Sequence, residues 1–114
     1  MTTTLMPKTS ERRLYQRFSA RFPAKFKDSR QDFGSNVFLR NASASGIQIA
    51  TLEKLFAHDH VALEVELPDG FSPMPIAGEV VWVRQSQPNI WEAGLNLNKT
   101  NLVRMSRLYK FTLE

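Results

Sequence analysis

Apolar and polar residues alternate in short runs along most of the chain, and the period changes only near the C-terminus. Phe22, Ala24 and Phe26 alternate with Pro23, Lys25 and Lys27, the period-two pattern of a half-buried strand, and Pro23 places it at an edge or a strand start. Gln31 to Asn36 supplies turn residues before a second strand, Val37-Phe38-Leu39-Arg40. Ile47 and Ile49 then alternate with Gln48 and Ala50, so the polar stretch Asn41-Ala42-Ser43-Ala44-Ser45-Gly46 connects two strands and is expected to contribute nothing to a core. Leu52 to Phe56 has the look of a short turn or a single helical turn. Val61, Leu63, Val65 and Leu67 form the clearest alternation, stopped by Pro68-Asp69-Gly70. In the next run Ile76, Gly78, Val80 and Trp82 share one face, and Val80-Val81-Trp82-Val83 is apolar on both, the pattern of a central strand. Gln85 to Asn89 reads as a loop, with Ile90 to Leu97 as the returning hairpin partner.

Beyond Leu97, Leu102, Met105, Tyr109 and Leu113 recur at helical spacing after a possible cap at Asn98 or Thr100. Arg104, Arg107 and Lys110 fall toward the C-terminal end of that helix, where cations are favoured. About six short strands followed by one helix describe an all-β fold, a small antiparallel barrel with a C-terminal helix across it. Residues 1–10, Thr-rich with Pro7 and no periodicity, are expected to form a flexible leader to a single domain spanning 11–114.

Composition narrows the possible chemistry. The absence of Cys removes disulfides and thiolate metal sites. No apolar run reaches the roughly 20 residues needed to span a bilayer, so a cytoplasmic protein without membrane insertion is expected. The net charge of +4 is unevenly placed. Residues 1–30 carry eight Lys/Arg against Glu11 and Asp28, whereas the rest carries seven against nine acidic residues. A cationic N-terminal third on a mildly acidic body points to a local anion site rather than to a nucleic-acid-binding face. Its densest part is Arg12, Arg13 and Arg17.

Several tempting features carry less. His58-Asp59-His60 would put its two imidazoles on opposite strand faces with no further ligands nearby, so no metal is expected. Trp82 and Trp91 are expected to be core or groove-lining residues on facing strands. No Ser-His-Asp set, carboxylate pair or phosphate-cradling glycine loop has usable spacing, so no enzymatic activity is expected.

Two segments together resemble a family. Arg12-Arg13-Leu14-Tyr15-Gln16-Arg17 contains an RxxxR match at Arg13 and Arg17, and Asn41-Ala42-Ser43-Ala44-Ser45-Gly46 a [D/N]xSxxG match at Asn41, Ser43 and Gly46. These resemble the two signatures of the PilZ domain. The similarity continues through Leu67-Pro68, Gly78 to Trp82 and Trp91 to Leu95, over roughly residues 11 to 113; Leu97 departs from the Phe often found there. The resemblance implies a six-stranded antiparallel PilZ-type barrel that binds cyclic di-GMP on its outer surface, one or two molecules per chain, with no other cofactor.

The residue chemistry suits that ligand. Arginine forks onto phosphate, pairs with guanine O6 and N7 and stacks on purines. Asn41 offers an amide to a guanine edge and Ser43 a hydroxyl, while Gly46 would let backbone turn close to the ligand. Arg12 would add charge for a second nucleotide. The expected mechanism is conformational: a mobile segment bearing Arg12, Arg13 and Arg17 is pinned beside Asn41 to Gly46 by the polyanion, creating a surface for an effector protein in trans. The alternatives are a PilZ-like protein–protein adaptor without nucleotide binding and a small nucleic-acid binder, the latter not expected.

Overall fold

The structure, a computed structural model, describes residues 14–70, 72–98 and 102–112. Seven strands run in chain order: β1 (Phe18–Ser19), β2 (Pro23–Phe26), β3 (Val37–Ser43), β4 (Gly46–Thr51), β5 (His60–Val65), β6 (Met74–Gln87) and β7 (Ile90–Leu97), followed by helix α1 (Leu102–Lys110). All pairings are antiparallel. The sheet order β1-β3-β2-β5-β6-β7-β4 is closed by pairing of β3 with β4, so β2 to β7 form a six-stranded ring. The two-residue β1 is an addition to it. It follows β2 along the same side of β3, with β2 opposite Val37 and Phe38 and β1 opposite Asn41 and Ala42.

The alternating residues line the inside of the ring. Ala24, Val37, Leu39, Ile47, Ile49, Leu63, Val65, Val80 and Ala93 are all buried. Burial of both Ala42 and Ala44 corrects the expectation that the Asn41–Gly46 stretch serves no core. Its first three residues belong to β3 and its last opens β4, leaving Ala44-Ser45 as a two-residue hairpin turn. Of the two forms expected for Leu52 to Phe56 the helical turn is not formed; the segment bends at Leu52-Glu53 and buries only Leu55.

Helix α1 buries Met105 and Leu108 and packs Tyr109 edge-on against Phe18 at 4.9 Å between ring centres. A two-pronged contact fixes it to the β5–β6 connection, with Arg107 Nε and Nη2 donating to Asp69 at 3.1 and 3.2 Å. The expected Thr100 cap and Leu113, like the leader over residues 1–10, lie outside the described residues.

Strand β6 departs most from its sequence pattern. It runs to Gln87, three residues into the expected loop, because Gln85 and Gln87 pair with Trp91 and Ile90 across a Pro88-Asn89 turn. The register with β7 also slips by one residue, Val80 facing Leu95 and Trp82 facing Gly94, so Val81 is an extra residue. Because side chains alternate with a period of two, this bulge reverses the positions after it, up to a second register shift between Gln85 and Gln87. Val80 stays inside, whereas Trp82 turns to the outer surface and is 39% exposed. Trp91, inward by register opposite buried Thr51, is half-buried.

Candidate functional site

A second bulge shapes the other side of the same outer surface. Leu39 faces Ile49, but Asn41 faces Gln48, leaving Arg40 as the extra residue of β3. Without it, strict alternation from buried Leu39 would aim Asn41 inward. With it, Asn41, Gln48, Gly94 and Trp82 form one outward-facing row across β3, β4, β7 and β6. Two inserted residues in separate hairpins thus place an amide and an indole on a single face.

The two sequence signatures meet at one end of this row. Arg17 Nη1 donates to Asn41 Oδ1 at 3.0 Å across 24 positions of chain. Asn41 Nδ2 donates in turn to Gln48 Oε1 at 2.9 Å. Arg17 uses one of its five N–H donors in this bond and has no other partner among the described residues, nor does Gln48 Nε2. Both keep donors for an acceptor laid across the row.

Arg17 is fixed from both sides along the chain. Phe18 and Ser19 pair with Ala42 and Asn41, and Ala20 N donates to Arg40 O at 3.0 Å. On the other side, Leu14 is 2% exposed, and its carbonyl accepts from Ala44 N at the hairpin turn. The i, i+4 pair Leu14 and Phe18 inside the cationic segment was the sequence signal for this anchor. Arg17 therefore belongs to the docked barrel, not to a mobile segment as expected. Arg12 and Arg13 lie outside the described residues.

Ser43 and Gly46 take different positions from Asn41. Ser43 is 5% exposed, with Oγ 3.4 Å from Ser45 Oγ and Gly46 O. Gly46 faces Ser43 on one side and Asn96 on the other, and a Cβ there would stand 2.8 Å from Leu95 O. Its lack of a side chain lets β4 approach β7, a closeness within the barrel rather than the expected turn beside a ligand.

Further along the surface, residues not anticipated from sequence complete the electrostatics. The Glu92 side chain is 9% exposed and accepts from Arg40 Nη1 at 3.2 Å and from Arg84 Nε and Nη2 at 2.9 and 2.6 Å. Two guanidiniums on one carboxylate leave a net positive charge. The Arg84 guanidinium also lies 5.8 Å from the centre of the Trp82 ring. The indole rests directly over Gly94, where a Cβ would come within 2.6 Å of Cε2 and 2.8 Å of Cδ1. Alternation cannot reveal this cluster, because it depends on the bulge at Val81.

His58, whose backbone adopts φ 76°, places Nδ1 2.9 Å from Glu79 Oε2. Among the described residues there is no group of three or more His, Asp or Glu positioned to hold a metal ion, and no helix long and apolar enough to cross a membrane.

The barrel closure, the flanking helix and the meeting of the two signatures accompany a match to the PilZ domain family model over residues 11–113. The chain belongs to the PilZ domain family. Among solved structures it is similar to the Bacillus subtilis inhibitor of motility (MotI/DgrA), with a TM-score of 0.59 at 15% identity over 85% of this chain. That likeness is one of fold. The chain spans about half the length of that protein, 47%. No curated protein matches the chain.

Proposed function

We propose that this PilZ domain binds cyclic di-GMP across the outward row that begins at Arg17 and Asn41. One observation carries the proposal: the Arg17–Asn41 hydrogen bond, which brings the RxxxR and [D/N]xSxxG segments to a single point on the barrel. The ligand class is that of the family, and the chemistry at this point suits it. To phosphate or guanine oxygens Arg17 and Gln48 present N–H donors that have no partner among the described residues, and Trp82 presents an exposed indole face at the far end of the row. Arg12 and Arg13 supply further charge from the preceding residues, enough for one nucleotide or an intercalated pair. Ser43 and Gly46 act mainly by holding the β3–β4 hairpin in shape.

Signalling follows from ordering of the chain before Leu14. Because residues 14–20 are already fixed to β3 and the hairpin turn, the segment recruited by ligand is the one carrying Arg12 and Arg13. A cytoplasmic effector protein reads the resulting surface. In the presence of nucleotide, amide exchange should slow in residues 5–13 and stay nearly constant in residues 14–20. Equal slowing in both segments would refute this division.

A second proposal, an adaptor that works by protein contact without nucleotide, is favoured by the burial of Ser43, a signature residue with little surface to offer. Calorimetric titration with cyclic di-GMP, GTP and a short oligonucleotide decides between them. Saturable binding of cyclic di-GMP alone supports the receptor, and no heat with any of the three supports the adaptor. A preference for the oligonucleotide overturns both.

A further inference from the structure

We propose that the free edge of β6, from Val81 to Gln87, is a strand-pairing site for an extended segment of a partner protein carrying an acidic residue opposite Arg84. The inference does not rest on nucleotide binding.

Strand β5 covers β6 only from Met74 to Glu79. The covering chain then makes two last contacts, His58 N to Val80 O at 2.7 Å and Val80 N to Asp59 O at 2.9 Å, and turns away. Residues 81–87 pair with β7 on one side and with no strand among the described residues on the other. Seven residues of open strand span about 23 Å, the length of a typical strand. Exposed edges of this kind add a further strand readily, and proteins usually guard them with Lys or Pro. Val-Trp-Val-Arg-Gln-Ser-Gln contains neither, and Arg84 is its only charge; its register shifts with β7 fall at Val81 and between Gln85 and Gln87, which leaves Trp82 to Gln85 as the regular stretch of the edge.

The edge is already ordered. Gln85 Nε2 donates to Pro88 O at 2.6 Å, Ser86 Oγ to Ile90 O at 3.3 Å, and β7 is held along its other side by β4. A pre-formed edge reduces the ordering cost that an incoming peptide must overcome.

Charge selects the occupant. Arg84 lies on the edge itself and shares the single carboxylate of Glu92 on β7 with Arg40, which reaches it from β3, so the cluster at the level of Arg84 carries a net positive charge. A second copy of this chain pairing about a two-fold axis would bring two such clusters to one seam, and like charges across a strand pair are unfavourable. A partner strand with a carboxylate at that level gains where the self-pair loses. Asp59 and Glu79, the latter beside His58, stand at the Val80 end of the edge, which confines the favourable acidic position to the Arg84 end.

The test uses the full chain without nucleotide and two synthetic nine-residue peptides of alternating Thr and Val, one with Glu and one with Lys at the centre. Amide resonances and exchange rates are followed by NMR. The expected result is slowed exchange confined to residues 81–87, with the Glu peptide binding at least three-fold more tightly and the preference shrinking at high salt. In Arg84→Gln the protection should persist while the preference between peptides disappears. In Gln85→Pro, checked for an unchanged melting curve, the protection itself should vanish. Equal affinity of both peptides for the unaltered chain, protection elsewhere, or concentration-dependent self-association through residues 81–87 would each overturn the proposal.

Discussion

The β3–β4 and β6–β7 hairpins use the same local devices and reach different ends. Each turns through two residues, Ala44-Ser45 in one and Pro88-Asn89 in the other, and each carries a bulged residue, Arg40 or Val81, that turns the next side chain outward; the second hairpin has a further register shift between Gln85 and Gln87, next to its turn. The first is enclosed, with β1 and β2 along one side and β7 along the other. The second is flanked by β4 along β7 and by β5 only as far as Glu79, and among the described residues β6 beyond Val80 has no strand on that side. A bulge in an enclosed hairpin builds a rigid wall, here Asn41 locked between Arg17 and Gln48. The same bulge beside a free edge presents side chains and unpaired backbone together, which is a surface suited to association.

The most disruptive way to test the enclosed hairpin is to force it apart. Gly46→Ala places a Cβ 2.8 Å from Leu95 O, a backbone atom that yields only if β4 and β7 separate. We expect a loss of about 2 kcal/mol, read as a melting temperature lower by roughly 8 °C. Unchanged melting with lost nucleotide binding would instead give Gly46 a direct role at the ligand.

Arg17→Ala should do the opposite, because its hydrogen bond to Asn41 is exposed and contributes little to folding. Nucleotide binding should weaken ten-fold or more, about 1.4 kcal/mol, with the melting temperature nearly unchanged. A large fall in stability would make Arg17 a structural strap of the hairpin.

Glu92→Gln tests what joins the two hairpins on the outer surface, since its carboxylate bridges Arg40 of β3 and Arg84 of β6. Replacing charge-assisted bonds with neutral ones should cost about 1 kcal/mol by chemical denaturation. No change would assign both arginines to solvent.

The smallest effect is expected at Gly94→Ala. The indole of Trp82 must lift from the sheet but has solvent to move into, so stability should change by less than about 1 kcal/mol while tryptophan fluorescence shifts to longer wavelength. An unshifted spectrum would mean that the backbone of β7 moves instead.

The strands, the C-terminal helix and the two signature segments were legible in the chain because each rests on short-range order. Period-two alternation marks Val61, Leu63 and Val65 for the interior, and helical spacing marks Met105, whatever their neighbours. That Arg17 and Asn41 belong to one surface followed only from family resemblance, and their contact depends on β1 pairing with β3. The outward turn of Trp82 had no local sign, since Val80-Val81-Trp82-Val83 reads equally well with or without an extra residue. The length of β6 was hidden for a related reason: Gln85 to Gln87 are strand residues because Ile90 and Trp91 pair with them, not because of their own preference.

The sequence alone therefore determined the inventory: which residues are apolar, at what period, and where the cations gather. Tertiary structure decided the facing of that inventory. A strand's two faces differ by a shift of one residue, and bulges at Arg40 and Val81 make that shift through pairing with β4 and β7. The enclosure of Ser43 and the exposure of the β6 edge were settled in the same way, by which strands lie alongside them.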